Sequence, residues 1–187
     1  MARHRHGKVD WYSPDPRAIL PLSPPEAFRV SRSLERRARR GEFHITHDQA
    51  FTCVMRSCAE PRPGEPNTWI NHELIAAYTA LHEMGFAHSL EAWEKGPEAP
   101  RGALLGGLYG VSIGGAFFGE SMFSRATDAS KVCLVHLVEH LRARGFVLLD
   151  VQFQSPHMKQ FGTIEIPRPQ YLQRLQEAVG LQCDWGR

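Results

Sequence analysis

The sequence lacks several features that would identify a protein's class at once. No run of apolar residues approaches the roughly 18 that a membrane-spanning helix needs, so no membrane partner is expected. The N-terminal residues MARHRHGK are basic, but no apolar segment follows them as it would in a secretory signal. A cytoplasmic location is therefore expected. The formal net charge of +2 is also too small to indicate a nucleic-acid-binding protein by itself.

Cysteine is scarce and is not arranged for metal binding. No CxxC pair occurs among the four cysteines, and most of them fall in predicted helices or at helix ends. This pattern favours buried, reduced thiols and argues against a metal site or a disulfide. The cysteines are Cys53, Cys58, Cys133 and Cys183.

Length and periodicity indicate one domain of the α+β class. The 187 residues suffice for a proper core. We assign residues 1–30 to a basic tail and a proline-rich leading segment, and residues 31–187 to the main domain. Antiparallel strands followed by a helix and a further strand predict an antiparallel or mixed sheet with flanking helices.

Alternation of apolar and polar residues predicts the strands. A tight turn at Gly114-Gly115 joins two of them into a hairpin. The predicted strands are Phe28–Val30, Ala87–Trp93, Leu104–Ile113, Ala116–Met122 and Phe146–Phe153.

Helical spacing of apolar residues, together with stop signals, predicts the helices. Thr46 and Gln49 have the spacing of a capping box and predict the start of a helix whose buried stripe includes Phe51 and Val54. A proline-rich loop follows it at Pro61–Pro66. The other predicted helices are Ser31–Arg40, Leu74–Met84 and Ser130–Arg144, each followed by a glycine, and Pro169–Ala178.

Three polar residues lie within apolar strand segments and are candidates for a site. Because side chains alternate along a strand, Asp150 and Gln152 should share one face, opposite Leu149 and Val151. Glu120 lies near the end of the second hairpin strand. Burying such a group costs about 1–3 kcal/mol unless it is hydrogen-bonded. Asp150 and Gln152 are thus either a mutually satisfied structural pair or part of a functional site.

Arginines crowd one short stretch of the chain. Such a cluster can bind RNA phosphates, or it can form the solvated face of a helix. The arginines of this stretch are Arg29, Arg32, Arg36, Arg37, Arg39 and Arg40.

Short motifs along the chain carry a resemblance to a known family. They are WYSPDPR at Trp11–Arg17, TWIN at Thr68–Asn71, AHSLEAW at Ala87–Trp93, and then GLYGV, FFGESMFS, DASK and LLDVQF, in this order. With these motifs, the sequence from Trp11 to about Leu175 resembles the leucyl/phenylalanyl-tRNA–protein transferases. Members of that family usually carry a further N-terminal region before WYSPDPR, so the resemblance is to a short form.

The resemblance implies an acetyltransferase-like (GNAT-like) catalytic domain and a transfer reaction. Leu, Phe or Met moves from an aminoacyl-tRNA to the N-terminal Arg or Lys of an acceptor protein, which marks that protein for degradation. Aminolysis of an ester runs downhill, so no cofactor is expected, and the protein is expected to be a monomer. The loop that cradles the pyrophosphate of coenzyme A in true acetyltransferases is missing from the sequence, so acyl-CoA is a poor donor.

The same resemblance assigns catalytic roles to the three polar strand residues. It implies that Gln152 contacts the attacking amine and that Asp150 orients and polarises Gln152. A neutral amide is too weakly basic to be a general base, so we expect Gln152 to position the amine through its carbonyl oxygen. Water, the tRNA ribose hydroxyl or Asp150 then takes the proton. Glu120 either pairs with a cationic group of a substrate or ties down the glycine turn.

An apolar socket for the donor side chain is also implied, although an ordinary core would contain the same residues and the pattern of any single one favours the core. Trp69 either stacks on the terminal adenosine of the tRNA or anchors the following helix from within the core. Arg36, Arg37 and Arg40 are assigned to tRNA phosphates. The socket residues are Leu108, Phe117, Met122, Leu134, Leu137 and Leu141.

Two other functions remain open on the sequence alone. One is a transferase that uses aminoacyl-tRNA but modifies a different amine acceptor, such as a small amine or a peptidoglycan-type amine. The other is a non-catalytic RNA- or degron-binding module, which the arginine stretch suggests. The joint presence of Glu120, Asp150 and Gln152 favours an enzyme over the binding module.

Overall fold

The structure is a computed structural model, and it describes residues 12–61, 68–97 and 102–186. The basic tail, Trp11 and most of the loop predicted at Pro61–Pro66 lie outside the described residues. Within the described ranges, no helix has the length and apolar character to cross a bilayer.

A seven-stranded sheet forms the centre of the fold. Its strands are β1 (Arg17–Leu20), β2 (Phe43–His47), β3 (Ala87–Glu94), β4 (Leu104–Ile113), β5 (Ala116–Ser124), β6 (Leu148–Gln152) and β7 (Ile164–Ile166). Their order across the sheet is β2-β3-β4-β5-β6-β1-β7. All neighbours run antiparallel except β5 and β6, which are parallel. The predicted α+β class with a mixed sheet is confirmed.

Helices cover both faces of this sheet. They are α1 (Arg32–Arg40), α2 (Phe51–Cys58), α3 (His72–Glu83), α4 (Ala129–Ala143), α5 (Pro156–Lys159) and α6 (Arg168–Val179), and a 3₁₀ turn at Pro25–Ala27 precedes α1. The helices α1 and α4 pack on one face, over the largest hydrophobic cluster. The helices α2, α3 and α6 pack on the other face, over two smaller clusters.

Two adjacent glycines on β4 let helices approach the sheet from opposite faces. A Cβ on Gly106 would lie 2.6 Å from the Cβ of Ala129, at the start of α4. A Cβ on Gly107 would lie 3.1 Å from Val54 of α2 and 2.9 Å from the carbonyl oxygen of Leu90. Only glycine fits such close approaches, so this pair sets the distance of both helices from the sheet.

The ends of α1 agree with the sequence prediction. The Ser31 hydroxyl accepts a hydrogen bond from the N–H of Leu34, which is the usual N-terminal cap. Gly41 ends the helix in the left-handed conformation, with φ of 58°. Leu34 is the buried residue of α1 and belongs to the core cluster under α4. The predicted helices over α3, α4 and α6 are also confirmed within a few residues.

The capping box predicted at Thr46 and Gln49 is wrong. Thr46 lies in β2, and α2 begins only at Phe51. The Thr46 hydroxyl donates to the buried carboxylate of Glu91 on the neighbouring β3 instead of to a helix end. A spacing rule cannot detect this partner, because the two residues are far apart in sequence.

The strand predicted at Phe28–Val30 is also wrong. Phe28 follows the 3₁₀ turn, and its ring stacks on Phe161 with 5.9 Å between ring centres. The strand of this region is β1, in the proline-rich leading segment, and it lies between β6 and β7 in the sheet. Neither β1 nor β7 shows enough alternation in sequence to be predicted, because both strands are short.

The parallel strands β5 and β6 pair over a short stretch and then separate. Their ladder joins Ala116, Phe117 and Phe118 to the first residues of β6. Beyond it, β5 continues to Ser124 beside β4, whereas β6 ends at Gln152 beside β1. A split therefore opens in the sheet.

Candidate active site

A cavity of about 800 Å³ occupies the split between β5 and β6. Its walls come from both strands, from the adjoining β4, from α4 and α5, and from the end of α2. Glu120 and Gln152 lie at this cavity among mainly apolar side chains, a composition typical of a small-ligand site. The apolar lining includes Leu108, Met122, Leu134, Leu137, Leu149, Val151 and Met158.

Asp150 is fully buried beside the cavity wall and carries an unusual number of partners. Arg17 of β1 donates to both carboxylate oxygens, with Nε–Oδ1 at 3.0 Å and Nη2–Oδ2 at 2.6 Å. Tyr171 of α6 donates its hydroxyl to Oδ2 at 2.7 Å. The buried charge is therefore paired with a cation and hydrogen-bonded on both oxygens, as buried charges require.

Gln152 ends β6 in a left-handed backbone conformation, with φ of 59°. Its backbone N–H donates to Asp150 Oδ1 at 2.8 Å. The register between β6 and β1 shifts at the same end of the strand, between Ala18 and Ile19. The expectation of simple alternation is wrong here, because the left-handed residue interrupts it. Gln152 lies at the cavity, whereas Asp150 lies behind it.

Arg17 and Tyr171 complete the surroundings of Asp150. The Arg17 guanidinium lies 5.0 Å from the centre of the Tyr171 ring, within the range of a cation–π interaction. Burial lowers the pKa of Arg17, but the hydrogen bond and charge of Asp150 outweigh burial and raise this pKa overall. Burial and the hydrogen bond to Asp150 raise the pKa of Tyr171. The carboxylate therefore faces a firmly cationic guanidinium and a neutral phenol.

Neither of these partners of Asp150 was predicted from the sequence. Arg17 is the last residue of the WYSPDPR motif, so the motif was a signal that this arginine has a role. Tyr171 lies within the correctly predicted last helix, and no spacing pattern connects it to Asp150. Only the order of strands, which places β1 beside β6 and packs α6 against them, brings the three residues together.

Glu120 lies at the cavity itself, where the other carboxylate of the lining, Glu60, is already paired with Arg125. The pKa of Glu120 is raised overall, and burial is the largest cause. The hydrogen bond with the Tyr78 hydroxyl and the charge of Arg17 lower this pKa, whereas the charge of Asp150 raises it. Burial and the charge of Glu120 raise the pKa of Tyr78, so the phenol is the hydrogen-bond donor of this pair. No salt bridge to Glu120 forms among the described residues. The carboxylate can therefore accept a cationic group from a ligand.

The structure divides the predicted socket residues into two groups. Leu108, Met122, Leu134 and Leu137 line the cavity. Phe117 and Leu141 are fully buried in the core and are not among the residues that line it. Three further apolar residues were missed as socket candidates, although alternation along β6 places the first two on the cavity side: Leu149, Val151 and Met158.

Trp69 lies outside the cavity lining. Its half-buried ring packs against the cluster under α2 and α3. Asn71, just after it, caps α3 by accepting from the N–H of Leu74 at 2.8 Å. These contacts agree with the alternative in which Trp69 anchors the following helix.

The three candidate tRNA-binding arginines of α1 differ in their surroundings. Arg36 and Arg40 are exposed. Arg37 instead donates to the carbonyl oxygen of Thr127 at 3.0 Å and pairs with Glu42 and Asp128 at 3.4 and 3.7 Å. Arg37 therefore fastens α1 to the loop before α4, and its guanidinium is less available to a phosphate than those of the other two.

Neither clustered metal ligands nor cysteine thiols form a further site among the described residues. Among the residues that the structure describes, no three His, Cys, Asp or Glu side chains converge as metal ligands would. Cys58 and Cys133 are buried, and Cys183 is half-buried. Cys53 is exposed on α2, so the expectation of buried thiols is wrong for this residue.

Comparison with known proteins gives consistent matches at the level of sequence. The family described as Leucyl/phenylalanyl-tRNA protein transferase matches residues 22–176. The leucyl/phenylalanyl-tRNA–protein transferase of Salinibacter ruber is 50% identical over 179 residues, which cover 96% of this chain and 74% of that protein. The transferase of the same name from Rubrobacter xylanophilus is 52% identical over 175 residues, which cover 94% of this chain and 85% of that protein.

A solved structure supports the fold. The crystal structure of FemX superposes with a TM-score of 0.64 at 15% sequence identity, and the match covers 94% of this chain and 67% of the FemX chain. At this identity the likeness concerns the fold alone. The predicted acetyltransferase-like arrangement, a mixed sheet with flanking helices, is confirmed.

Proposed function

The chain belongs to the leucyl/phenylalanyl-tRNA–protein transferase family, and from this premise we propose that it transfers Leu, Phe or Met from aminoacyl-tRNA to the N-terminal Arg or Lys of acceptor proteins. The observation that carries the proposal is the cavity between β5 and β6, where Glu120 and Gln152 meet an apolar socket. Transfer marks the acceptor for degradation and takes place in the cytoplasm, where charged tRNA is found. The proposal includes a monomeric enzyme, because one chain supplies every residue assigned to the site and the reaction needs no second copy.

In the reaction, the neutral α-amine of the acceptor attacks the ester carbonyl carbon of the aminoacyl-tRNA. A C–N bond forms, the C–O bond to the ribose breaks, and the proton of the amine ends on the ribose oxygen of the released tRNA. Because an amide replaces an ester, the step needs no ATP. The protein supplies orientation and hydrogen bonds to the charge that develops in the transition state.

Gln152 is the residue that positions the attacking amine, through the carbonyl oxygen of its side chain. An amide is too weakly basic to remove the proton itself. Asp150 is a positioning residue in this scheme, because its buried carboxylate already accepts from Arg17, Tyr171 and the N–H of Gln152. Water or the ribose hydroxyl of the tRNA then carries the proton, and Asp150 does not take it.

Glu120 provides acceptor specificity. An N-terminal Arg or Lys brings a cationic side chain, and a cation in a mainly apolar cavity needs an anionic partner. Glu120 lies at the cavity and has no salt-bridge partner among the described residues, which supports this role. A neutral N-terminal residue such as Ala would leave the half-buried carboxylate without a cationic partner.

The donor side chain lies in the apolar part of the cavity, between α4 and β5. Leu134 and Leu137 of α4 and Met122 of β5 line this space. The exposed Arg36 and Arg40 of α1 contact tRNA phosphates, whose charge a guanidinium matches well.

The experiment that tests the proposal is incubation with labelled Leu-tRNA and a peptide that begins with Arg, followed by mass measurement of the peptide. Matched peptides begin with Lys and with Ala. We expect addition of one leucyl residue to the Arg and Lys peptides and none to the Ala peptide. Leucyl addition to Ala peptides or to a small amine instead would establish a transferase with a different acceptor. Tight tRNA binding without any product would establish a binding module.

A further inference from the structure

Asp150, Gln152, Arg17 and Tyr171 form a connected hydrogen-bonded assembly that reaches the cavity at one point. Arg17 comes from β1, Tyr171 from α6, and the other two from β6. Asp150 Oδ2 accepts from Arg17 and Tyr171, while Oδ1 accepts from Arg17 and from the N–H of Gln152. Of these four residues, only Gln152 is part of the cavity lining.

The backbone of Gln152 needs such support. A residue other than glycine with φ of 59° occupies a sparsely populated conformation, and it persists only where its surroundings hold it. The hydrogen bond from its N–H to Asp150 Oδ1 provides that hold. A carboxylate can rotate about its own side-chain bond, however, so Asp150 restrains Gln152 only if the carboxylate is itself fixed.

We propose that Arg17 and Tyr171 are positioning residues for the transfer reaction: together they lock the Asp150 carboxylate, and through it the backbone that aims Gln152 into the cavity. This inference rests on the proposed function for its kinetic consequence, but the locking itself is a property of the protein without substrate. The Arg17 guanidinium donates to both oxygens of the Asp150 carboxylate, and the Tyr171 hydroxyl donates to Oδ2. The two residues therefore hold the carboxylate from different directions.

The kinetic test compares Tyr171→Phe, Arg17→Lys and Arg17→Gln with the wild-type protein. We expect kcat to fall about tenfold or more in all three, with KM for Leu-tRNA unchanged, because small displacements of a positioned group are enough to cost this much. Ile166→Val serves as the control, because it loosens the same core cluster and leaves all four side chains of the assembly in place.

A second measurement needs no substrate. The exchange rate of the Gln152 backbone amide with solvent, followed by NMR, should rise in Tyr171→Phe and Arg17→Lys, while the amides of Leu148 and Leu149 in the same strand keep their wild-type rates. The Ile166→Val protein should show no selective change at Gln152. If Arg17→Gln does not fold, the other two variants still test the lock, because each of them removes part of it.

The outcomes separate the inference from the proposed function. Wild-type kcat in folded Tyr171→Phe and Arg17→Lys, or an unchanged exchange rate at Gln152, would overturn the positioning role. A fall in kcat matched by Ile166→Val would also overturn it, because the effect would then be general loosening. A wild-type protein without transfer activity would instead refute the proposed function, and the exchange measurement would still decide whether the lock exists.

Discussion

At the scale of single residues, the two carboxylates of the site have different surroundings and different roles. Asp150 is fully buried and hydrogen-bonded on both oxygens to a guanidinium, a phenol and a backbone N–H. Glu120 lies at the cavity without a salt-bridge partner among the described residues. Because both oxygens of Asp150 already accept hydrogen bonds, this carboxylate holds other groups in place. Glu120 has no cationic partner in the described part of the chain, so it can bind a ligand that carries a positive charge.

The raised pKa of Glu120 predicts a pH-dependent effect of Glu120→Gln on stability. Burial is the largest cause of the upward shift, so the ionised form is less favourable in the folded protein than in the unfolded chain. This cost is absent below the ordinary carboxyl pKa of about 4.3 and is fully present once the pH exceeds the raised value. We therefore expect Glu120→Gln to unfold at a higher temperature than wild type at pH 7, and the difference to shrink as the pH falls towards 4.

Thermal unfolding at a series of pH values checks this prediction. The exposed carboxylate of Glu165 on β7 supplies the control, as Glu165→Gln. A Glu120→Gln protein that is less stable than wild type at pH 7 would contradict a desolvation cost at this site. The same variant should also lose transfer to Arg-initiated peptides, because the acceptor cation then has no anionic partner.

At the scale of secondary-structure elements, α4 separates cavity positions from core positions. Leu137 lines the cavity, whereas Leu141 is fully buried one turn later and does not. Leu137→Phe should therefore reduce the space for the donor side chain and penalise Phe donation more than Leu donation. The shift in the ratio of the two rates should be about tenfold or more, the range for methylene-scale changes in an apolar pocket.

The matched variant for this prediction is Leu141→Phe. Its extra volume enters a closed core, so we expect a loss of about 1–3 kcal/mol in the free energy of unfolding and an unchanged donor ratio. The measurements are initial transfer rates from Phe-tRNA and Leu-tRNA, with denaturant unfolding of both proteins. If the ratio of the Phe and Leu transfer rates changes in Leu141→Phe but not in Leu137→Phe, the donor side chain reaches the core position and not the cavity wall.

The helix α1 offers a test of tRNA binding through salt. Arg36→Ala and Arg40→Ala should each flatten the dependence of log affinity on log salt by about 0.7–0.9, which is the contribution of one phosphate contact. Arg37→Ala should instead lower stability more than it changes the salt dependence, because this side chain fastens α1 to Thr127 and Asp128. Arg39→Ala is the control on the same helix, since Arg39 is paired with Glu35 at 2.7 Å. If the slope of log affinity against log salt is unchanged in all variants, these arginines face solvent and do not contact tRNA phosphates.

At the scale of the whole molecule, local patterns predicted the elements with clear periodicity. The hairpin of β4 and β5, the helix α4 and the strand β6 agree with the sequence because each has a regular apolar period and glycines at its ends. The resemblance then indicated Glu120, Gln152 and part of the apolar cavity lining. Leu137 and Leu141 show its limit, since helical spacing puts both on one side of α4 but does not say which one reaches the cavity.

Contacts between distant segments could not be predicted in this way. The strand β1 has four residues and lies between β6 and β7, so its partners depend on the folding of most of the chain. Arg17 meets Asp150 because of that pairing, and the left-handed backbone of Gln152 follows from the same neighbourhood. Thr46 was misassigned for the same reason, because its partner Glu91 lies on another strand. In each case a non-local hydrogen bond determined the local structure.

The most direct test of the central claim is the rate of peptide leucylation by wild type and Gln152→Gly. Glycine removes the carboxamide but suits a backbone with φ of 59°, so the variant should fold. Both proteins are given Leu-tRNA and an Arg-initiated peptide, and the mass of the peptide is followed over time after thermal unfolding has shown that both are folded. We predict that wild type adds one leucyl residue and that the folded variant is slower by about 100-fold or more. Equal rates in the two proteins, or no leucylated peptide from wild type, would contradict the claim that this cavity carries out aminoacyl transfer through Gln152.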